Sequence, residues 1–124
     1  MSLEEFHAEI ESGERFEFGK NWKAFLKKLN KERIEQAENS LKIMLGVKNL
    51  VGKTFLDVGS GSGLFSLAAK NLGASVVSFD FDKSSVWCTK ELKNRFYKTN
   101  TDWKIIHGSI LDKKFLVSLG KFDY

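Results

Sequence analysis

Thr54-Phe55-Leu56-Asp57-Val58-Gly59-Ser60-Gly61-Ser62-Gly63-Leu64 starts as a short apolar run, breaks into a glycine-rich turn and resumes at helical spacing. Leu64, Phe65, Leu67, Ala68 and Leu72 carry the pattern after the break. The segment is predicted as strand, tight turn and helix, with glycines where backbone turns sharply or meets something closely. A ligand at such a turn encounters unpaired N–H groups and the positive end of the following helix. The plainer alternative is a turn whose glycines only relieve crowding. Spacing narrows the ligand. A dinucleotide fingerprint needs G-x-G-x-x-G, whereas here the third glycine comes one residue early and Leu64 takes its place.

A second glycine pair is a decoy. Gly46-Val47-Lys48-Asn49-Leu50-Val51-Gly52-Lys53-Thr54 ends in the Gly-Lys-Thr of a phosphate-binding loop. That loop needs four residues between its glycines and must open a helix. Five stand here, and Lys53-Thr54 leads into the strand.

The run from Phe55 to Gly63 resembles the first motif of the class I S-adenosylmethionine-dependent methyltransferases, an apolar strand ending in an acidic residue followed by G-x-G-x-G. The resemblance implies that Asp57, Gly59, Ser60, Gly61 and Gly63 cradle S-adenosyl-L-methionine.

Downstream, residues 74–79 read as a buried, β-branched strand. It ends in Asp80-Phe81-Asp82. An acid at this distance from the loop suits a ribose, whose two vicinal hydroxyls donate to one carboxylate. In the resemblance Asp80 takes that role and Phe81 packs beside the adenine. Asp82 is the better N-cap for a helix over residues 83–97, with Ser84 and Ser85 in its first turn. A second cap or a solvated loop acid is the plain alternative for Asp80. Cys88, Leu92 and Phe96 form that helix's apolar stripe, so Cys88 reads as a small buried apolar residue. Asn100, Thr101 and Asp102 form a turn before a third strand, Trp103–His107. Gly108-Ser109-Ile110-Leu111 follows, where the methyltransferases place a glycine, an acid and an apolar pair against the adenine edge. Ser109 stands in the acid's place as a weaker, neutral acceptor, and Ile110 supplies apolar contact. His107, near the presumed pocket, reads as structural. Asp112 caps a short helix closed by Gly120, and Lys121-Phe122-Asp123-Tyr124 begins a fourth strand.

Upstream, Ser2 and Glu5 form a capping box for a helix with Leu3, Phe6 and Ile10 on one face, ended by Gly13. Glu14-Arg15-Phe16-Glu17-Phe18-Gly19-Lys20 alternates and reads as an extended or irregular connector. Helices are predicted over residues 21–29 and 32–45. The second carries Ile34, Ala37, Leu41 and Met44 on one stripe and Gly46 just past its end. The segment from Phe16 to Trp22 also resembles the lead-in of one bacterial branch of the methyltransferases. Because helices before the first strand fold over the cofactor in many members, Lys20 or Trp22 is placed within reach of the site.

The 124 residues, 42% hydrophobic, make one domain with a modest core. Residues 1–50 are its N-terminal helices and 51–124 its cofactor-binding α/β portion. No apolar run reaches the roughly 20 residues of a membrane span, and no signal segment opens the chain. A single cysteine excludes an internal disulfide and a cysteine-based zinc site, and a cytoplasmic setting follows by default. Net charge is +4. The nearest thing to a basic cluster, Lys20, Lys23, Lys27, Lys28, Lys31 and Arg33, reads as a solvated helix face, so a small-molecule acceptor is favoured over nucleic acid.

The element order argues an α/β fold: an open parallel Rossmann-like sheet with helices on both faces, preceded by N-terminal helices and truncated after the start of the fourth strand. The expected function is methyl transfer from S-adenosylmethionine to an unidentified acceptor, in a fragment of a longer enzyme. An NAD(P)-binding oxidoreductase fragment and a non-catalytic Rossmann-like module are the alternatives. The sequence offers no catalytic base and no metal site. An exposed first-strand edge along Phe55, Leu56 and Val58 is expected to favour a homo-oligomer.

Overall fold

The computed structural model describes residues 15–99, 102–109 and 111–124, with the backbone alone for 15–21. The expected first helix, the turn at Asn100 and Thr101, and Ile110 lie outside the described residues.

Helix α1 (Arg15–Lys28) runs through the segment read as a connector, which corrects that expectation. The alternation of Phe16 and Phe18 is a short-range coincidence. Phe18, Trp22, Phe25 and Leu29 keep helical spacing, and Gly19 inside a helix costs only about 1 kcal/mol relative to alanine. Asn30 then caps α2 (Lys31–Leu45), its side chain accepting from the Arg33 N–H, and Gly46 ends α2 at φ 65°. Ile34, Ala37 and Leu41 are buried as expected. Met44 is 67% exposed, and the partly buried Leu45 continues the packed face instead.

Three strands follow: β1 (Thr54–Val58), β2 (Ser75–Asp80) and β3 (Trp103–His107). They pair in parallel in the order β1-β2-β3, with Phe55 opposite Val76 and Val76 opposite Trp103. Between them lie α3 (Leu64–Asn71) and α4 (Lys83–Phe96). Two right-handed crossovers stepping in one direction put α3 and α4 on the same face of the sheet. There they pack on each other, with α2 against α3 and α1 against α4. Phe55, Leu67, Ala68, Val76, Leu92 and Trp103 form the core between helices and sheet, together with Leu26, Ile34 and Leu41 from the N-terminal pair. Cys88 is fully buried in it. Phe65 and Phe96, read as parts of apolar stripes, stand on the outer sides of their helices and are 44% and 48% exposed.

On the opposite face, α5 (Lys113–Ser118), capped by Asp112, sets the Phe115 ring edge-on to Phe79 at 5.1 Å. The chain then returns to β1. The Tyr124 N–H donates to Thr54 O (3.1 Å) and the Leu56 N–H donates to Tyr124 O (3.0 Å). These two bonds are a parallel rung centred on Phe55. Asp123 reinforces it by accepting from the Thr54 N–H at 2.8 Å. The outer edge of β1 is therefore not bare as expected. It is paired up to Leu56, and Val58, 48% exposed, lies beyond the rung. Steps run one way from β1 to β3 and the other way to Tyr124, which makes the carboxyl end of β1 a topological switch point. Among the described residues no helix is long and apolar enough to cross a membrane.

Candidate cofactor site

The glycine loop sits at that switch point. Gly59, Gly61 and Gly63 adopt φ of 69°, 56° and 86°, a region side-chain-bearing residues rarely enter. The Gly59 and Ser60 N–H groups both donate to Phe79 O, at 2.9 and 3.1 Å, which ties the loop to the end of β2. The three glycines differ in what surrounds them. A Cβ on Gly59 would meet nothing within 4 Å, and one on Gly61 would only touch the Trp22 ring at 3.9 Å. A Cβ on Gly63 would lie 2.9 Å from Thr89 Cα and 2.8 Å from its Oγ1. Gly63 is thus required for the close approach of α3 to α4, whereas Gly59 leaves the loop surface open and Gly61 faces the Trp22 ring at van der Waals distance.

Asp80, 6% exposed, faces this loop from the end of β2. Its Oδ2 accepts from the Gly61 N–H at 3.0 Å and its Oδ1 from the Asp82 N–H at 2.9 Å. Asp82 does the capping: its Oδ2 accepts from the Ser85 N–H (3.1 Å) and the Ser85 hydroxyl (3.0 Å). Asp82 thus caps the helix as the sequence suggested, while Asp80 turns toward the loop. Two N–H bonds leave lone pairs on the Asp80 carboxylate for a ligand's hydroxyls. Phe81, half-buried, follows directly, and its carbonyl accepts from His107 Nε2 at 2.7 Å. His107 therefore holds the end of β3 to the turn after β2, a structural task. Ser109 Oγ accepts from the Leu111 N–H at 3.1 Å, which keeps its hydroxyl proton and one lone pair for another partner. Trp22 does arrive at the loop. Its indole lies against Gly61, and Nε1–H donates to Ser85 Oγ at 3.2 Å. The side chain of Lys20 is outside the described residues.

Asp57 has a role the sequence did not reveal. Gly63 occupies the N-cap of α3 and has no side chain to offer. Asp57 reaches across from β1 instead, its Oδ2 accepting from Ser66 Oγ at 2.5 Å and its carboxylate from the Ser66 N–H. Burial pushes the Asp57 carboxyl above its ordinary value of 3.8; the Ser66 hydroxyl opposes this, and the nearby Asp80 adds to it. An acid raised on folding contributes stability that is complete below about 3.8 and is lost as pH rises through the folded-state value. Asp57→Asn removes that loss while keeping an acceptor for Ser66. Thermal melts should therefore show the variant gaining on the wild type as pH rises above about 3.8, and a gap that shrinks with rising pH would reverse the sign of the argument.

Ser66, Ser78 and Thr89 were missed because small hydroxyls inside apolar runs read as packing. All three are fully buried. Thr89 Oγ1 donates to Ser85 O (3.0 Å) and lies 3.2 Å from Ser60 Oγ, beneath the loop. Among the described residues no cluster of three His, Cys, Asp or Glu side chains is arranged to hold a metal ion.

A family model described as ribosomal protein L11 methyltransferase matches residues 31–115, from α2 to the first residues of α5 and across the whole glycine loop. The chain belongs to the ribosomal protein L11 methyltransferase family. Within this family, the enzyme of Helicobacter hepaticus is 41% identical over 69 residues, 55% of this chain and 21% of the relative. That of Pediococcus pentosaceus is 54% identical over 41 residues, 32% of this chain and 13% of the relative. The matched stretch thus spans about a fifth or less of these ribosomal protein L11 methyltransferases. Among solved structures, one from Plasmodium falciparum carries the name protein-L-isoaspartate O-methyltransferase and was determined with S-adenosyl-L-homocysteine. It is 27% identical, with a TM-score of 0.56 over 68% of this chain and 44% of that one. The open three-stranded parallel sheet is the part shared with this methyltransferase fold.

Proposed function

We propose that this chain forms the donor side of a methyltransferase and binds S-adenosyl-L-methionine across the carboxyl ends of β1, β2 and β3. The observation that carries this reading is Asp80 held against the N–H of Gly61, beside Gly59, whose outer side is open, and Gly61, whose Cβ position the Trp22 ring approaches no closer than 3.9 Å. The residues fit the group. Gly59, Ser60 and Gly61 lay backbone along one side, Asp80 offers its remaining lone pairs to ribose hydroxyls, and Phe81 and Ser109 stand where an adenine would rest. Ile110 belongs to the same proposed edge by sequence. Trp22, fixed to Ser85 and lying on Gly61, would wall the site from the helix side. Gly63 acts indirectly, by helix packing, and Asp57 orients the N-terminus of α3 from beneath the site.

When bound, the cofactor supplies a methyl group on a sulfonium centre, ready for displacement. The task of these residues is to fix the donor so that an acceptor meets the methyl group in line. The acceptor side belongs to the longer polypeptide that the relatives' length implies. Their names specify ribosomal protein L11, so we favour a protein acceptor over the small molecule the sequence suggested. The acceptor-binding residues and any base are assigned to that further chain.

Calorimetric titration with S-adenosyl-L-homocysteine and NADH in parallel tests the donor reading. Saturable binding of the first and none of the second is expected. NADH binding alone would favour an oxidoreductase, and binding of neither would leave a fold serving as an interaction module.

A further inference from the structure

Trp103, Ser78 and Ser66 are each fully buried and join in a row beneath the site. Trp103 Nε1–H donates to Ser78 Oγ at 3.0 Å, Ser78 Oγ lies 2.6 Å from Ser66 Oγ, and Ser66 donates to Asp57 Oδ2. The direction of this row follows from counting hydrogens. An indole can only donate and an ionised carboxylate can only accept. Ser66 spends its one hydroxyl hydrogen on Asp57, so the hydrogen between the serines belongs to Ser78. Every bond thus points from β3 across the sheet toward Asp57. A proton on Asp57 Oδ2 would turn the Ser66 hydroxyl back toward Ser78, whose own hydrogen would then lose its acceptor in a dry core. Such an orphan costs about 1–3 kcal/mol. The row therefore resists protonation at Oδ2, even though Asp80 on β2, the charged group facing Asp57, repels a second negative charge.

We propose that Ser66, Ser78 and Trp103 are positioning residues for the donor site, holding Asp57 ionised and turned under α3 so that the site meets its ligand with two carboxylates. The proposal rests on the donor reading given above. Its chemical consequence is selectivity. The sulfonium donor carries a positive charge that its thioether product lacks, so paired carboxylates favour the donor over the product.

The test has two arms. The first follows the Asp57 carboxyl by carbon-detected NMR in the ligand-free chain across pH. Ser66→Ala should move its titration to higher pH, Ser78→Ala should move it less in the same direction, and Ser66→Thr should restore the wild-type curve. The second compares the affinities of S-adenosylmethionine and S-adenosylhomocysteine near pH 7. The preference for the charged ligand should fall several-fold in Ser66→Ala and return in Ser66→Thr. If Ser66→Ala does not fold, as judged by far-ultraviolet dichroism, Ser78→Ala and Ser66→Thr decide the matter. Asp57 titrating alike in all folded variants, or an unchanged preference, would overturn the proposal. Failure of the wild-type chain to bind either ligand would instead overturn the donor reading.

Discussion

Gly63→Ala should lower the melting temperature by about 10 °C. Two penalties combine. At φ 86° an L-residue costs about 1–2 kcal/mol. The new Cβ also lands 2.9 Å from Thr89 Cα, and overpacking of that kind costs about 1–3 kcal/mol more. Backbone on α4 would have to move, because a rotamer change cannot carry Thr89 Cα away. Gly59→Ala is the control. It carries a positive φ of 69° but meets nothing within 4 Å, so about 1 kcal/mol is expected. Equal losses at the two positions in a thermal melt would show that backbone conformation alone, and not the α3–α4 approach, sets the requirement for glycine.

Asp80→Ala should weaken S-adenosylhomocysteine binding by about 10–100-fold, or 1–3 kcal/mol. It deletes the carboxylate assigned to the ribose and also frees the Gly61 and Asp82 N–H groups that Asp80 now holds. A modest drop in stability should accompany it. Asp82→Ala should do the opposite, costing about 1 kcal/mol of stability through the lost cap of α4 while leaving affinity nearly unchanged. The reverse pattern in paired melts and titrations would mean that the two acids had been exchanged.

Much of the sheet was legible because its signals are local. Strand β1 is an apolar run that carries an acid just before a glycine turn, and β2 is β-branched and closed by two acids. Asp82 and Asp112 cap helices as residue type and spacing suggested. The errors arose where tertiary context overrides local pattern. Phe16 and Phe18 alternate by chance inside a helix whose spacing appears only when Trp22 and Phe25 are counted. Met44 and Phe96 fit the period of their helices, but the packed face passes to their neighbours Leu45 and Tyr97. The pairing of Tyr124 with Thr54 and Leu56 spans most of the chain's length, and no local pattern encodes it. For the site, glycines and acids announced themselves by type. The row from Trp103 through Ser78 and Ser66 to Asp57 did not, since its meaning depends on four elements meeting in space.

The central claim is that the carboxyl ends of β1 and β2 form the donor site. Nitrogen-15 chemical-shift mapping with S-adenosylhomocysteine tests it most directly. The largest changes should fall on the amides of Gly59, Ser60, Gly61, Phe81 and Asp82, with the Trp22 indole N–H moving alongside. A second location offers itself in the groove of about 630 Å³ lined by Leu29, Ile34, Glu38, Asn71 and Phe96, none of them a residue of the glycine loop. Changes confined to that groove, with the loop amides unmoved at saturation, would contradict the account.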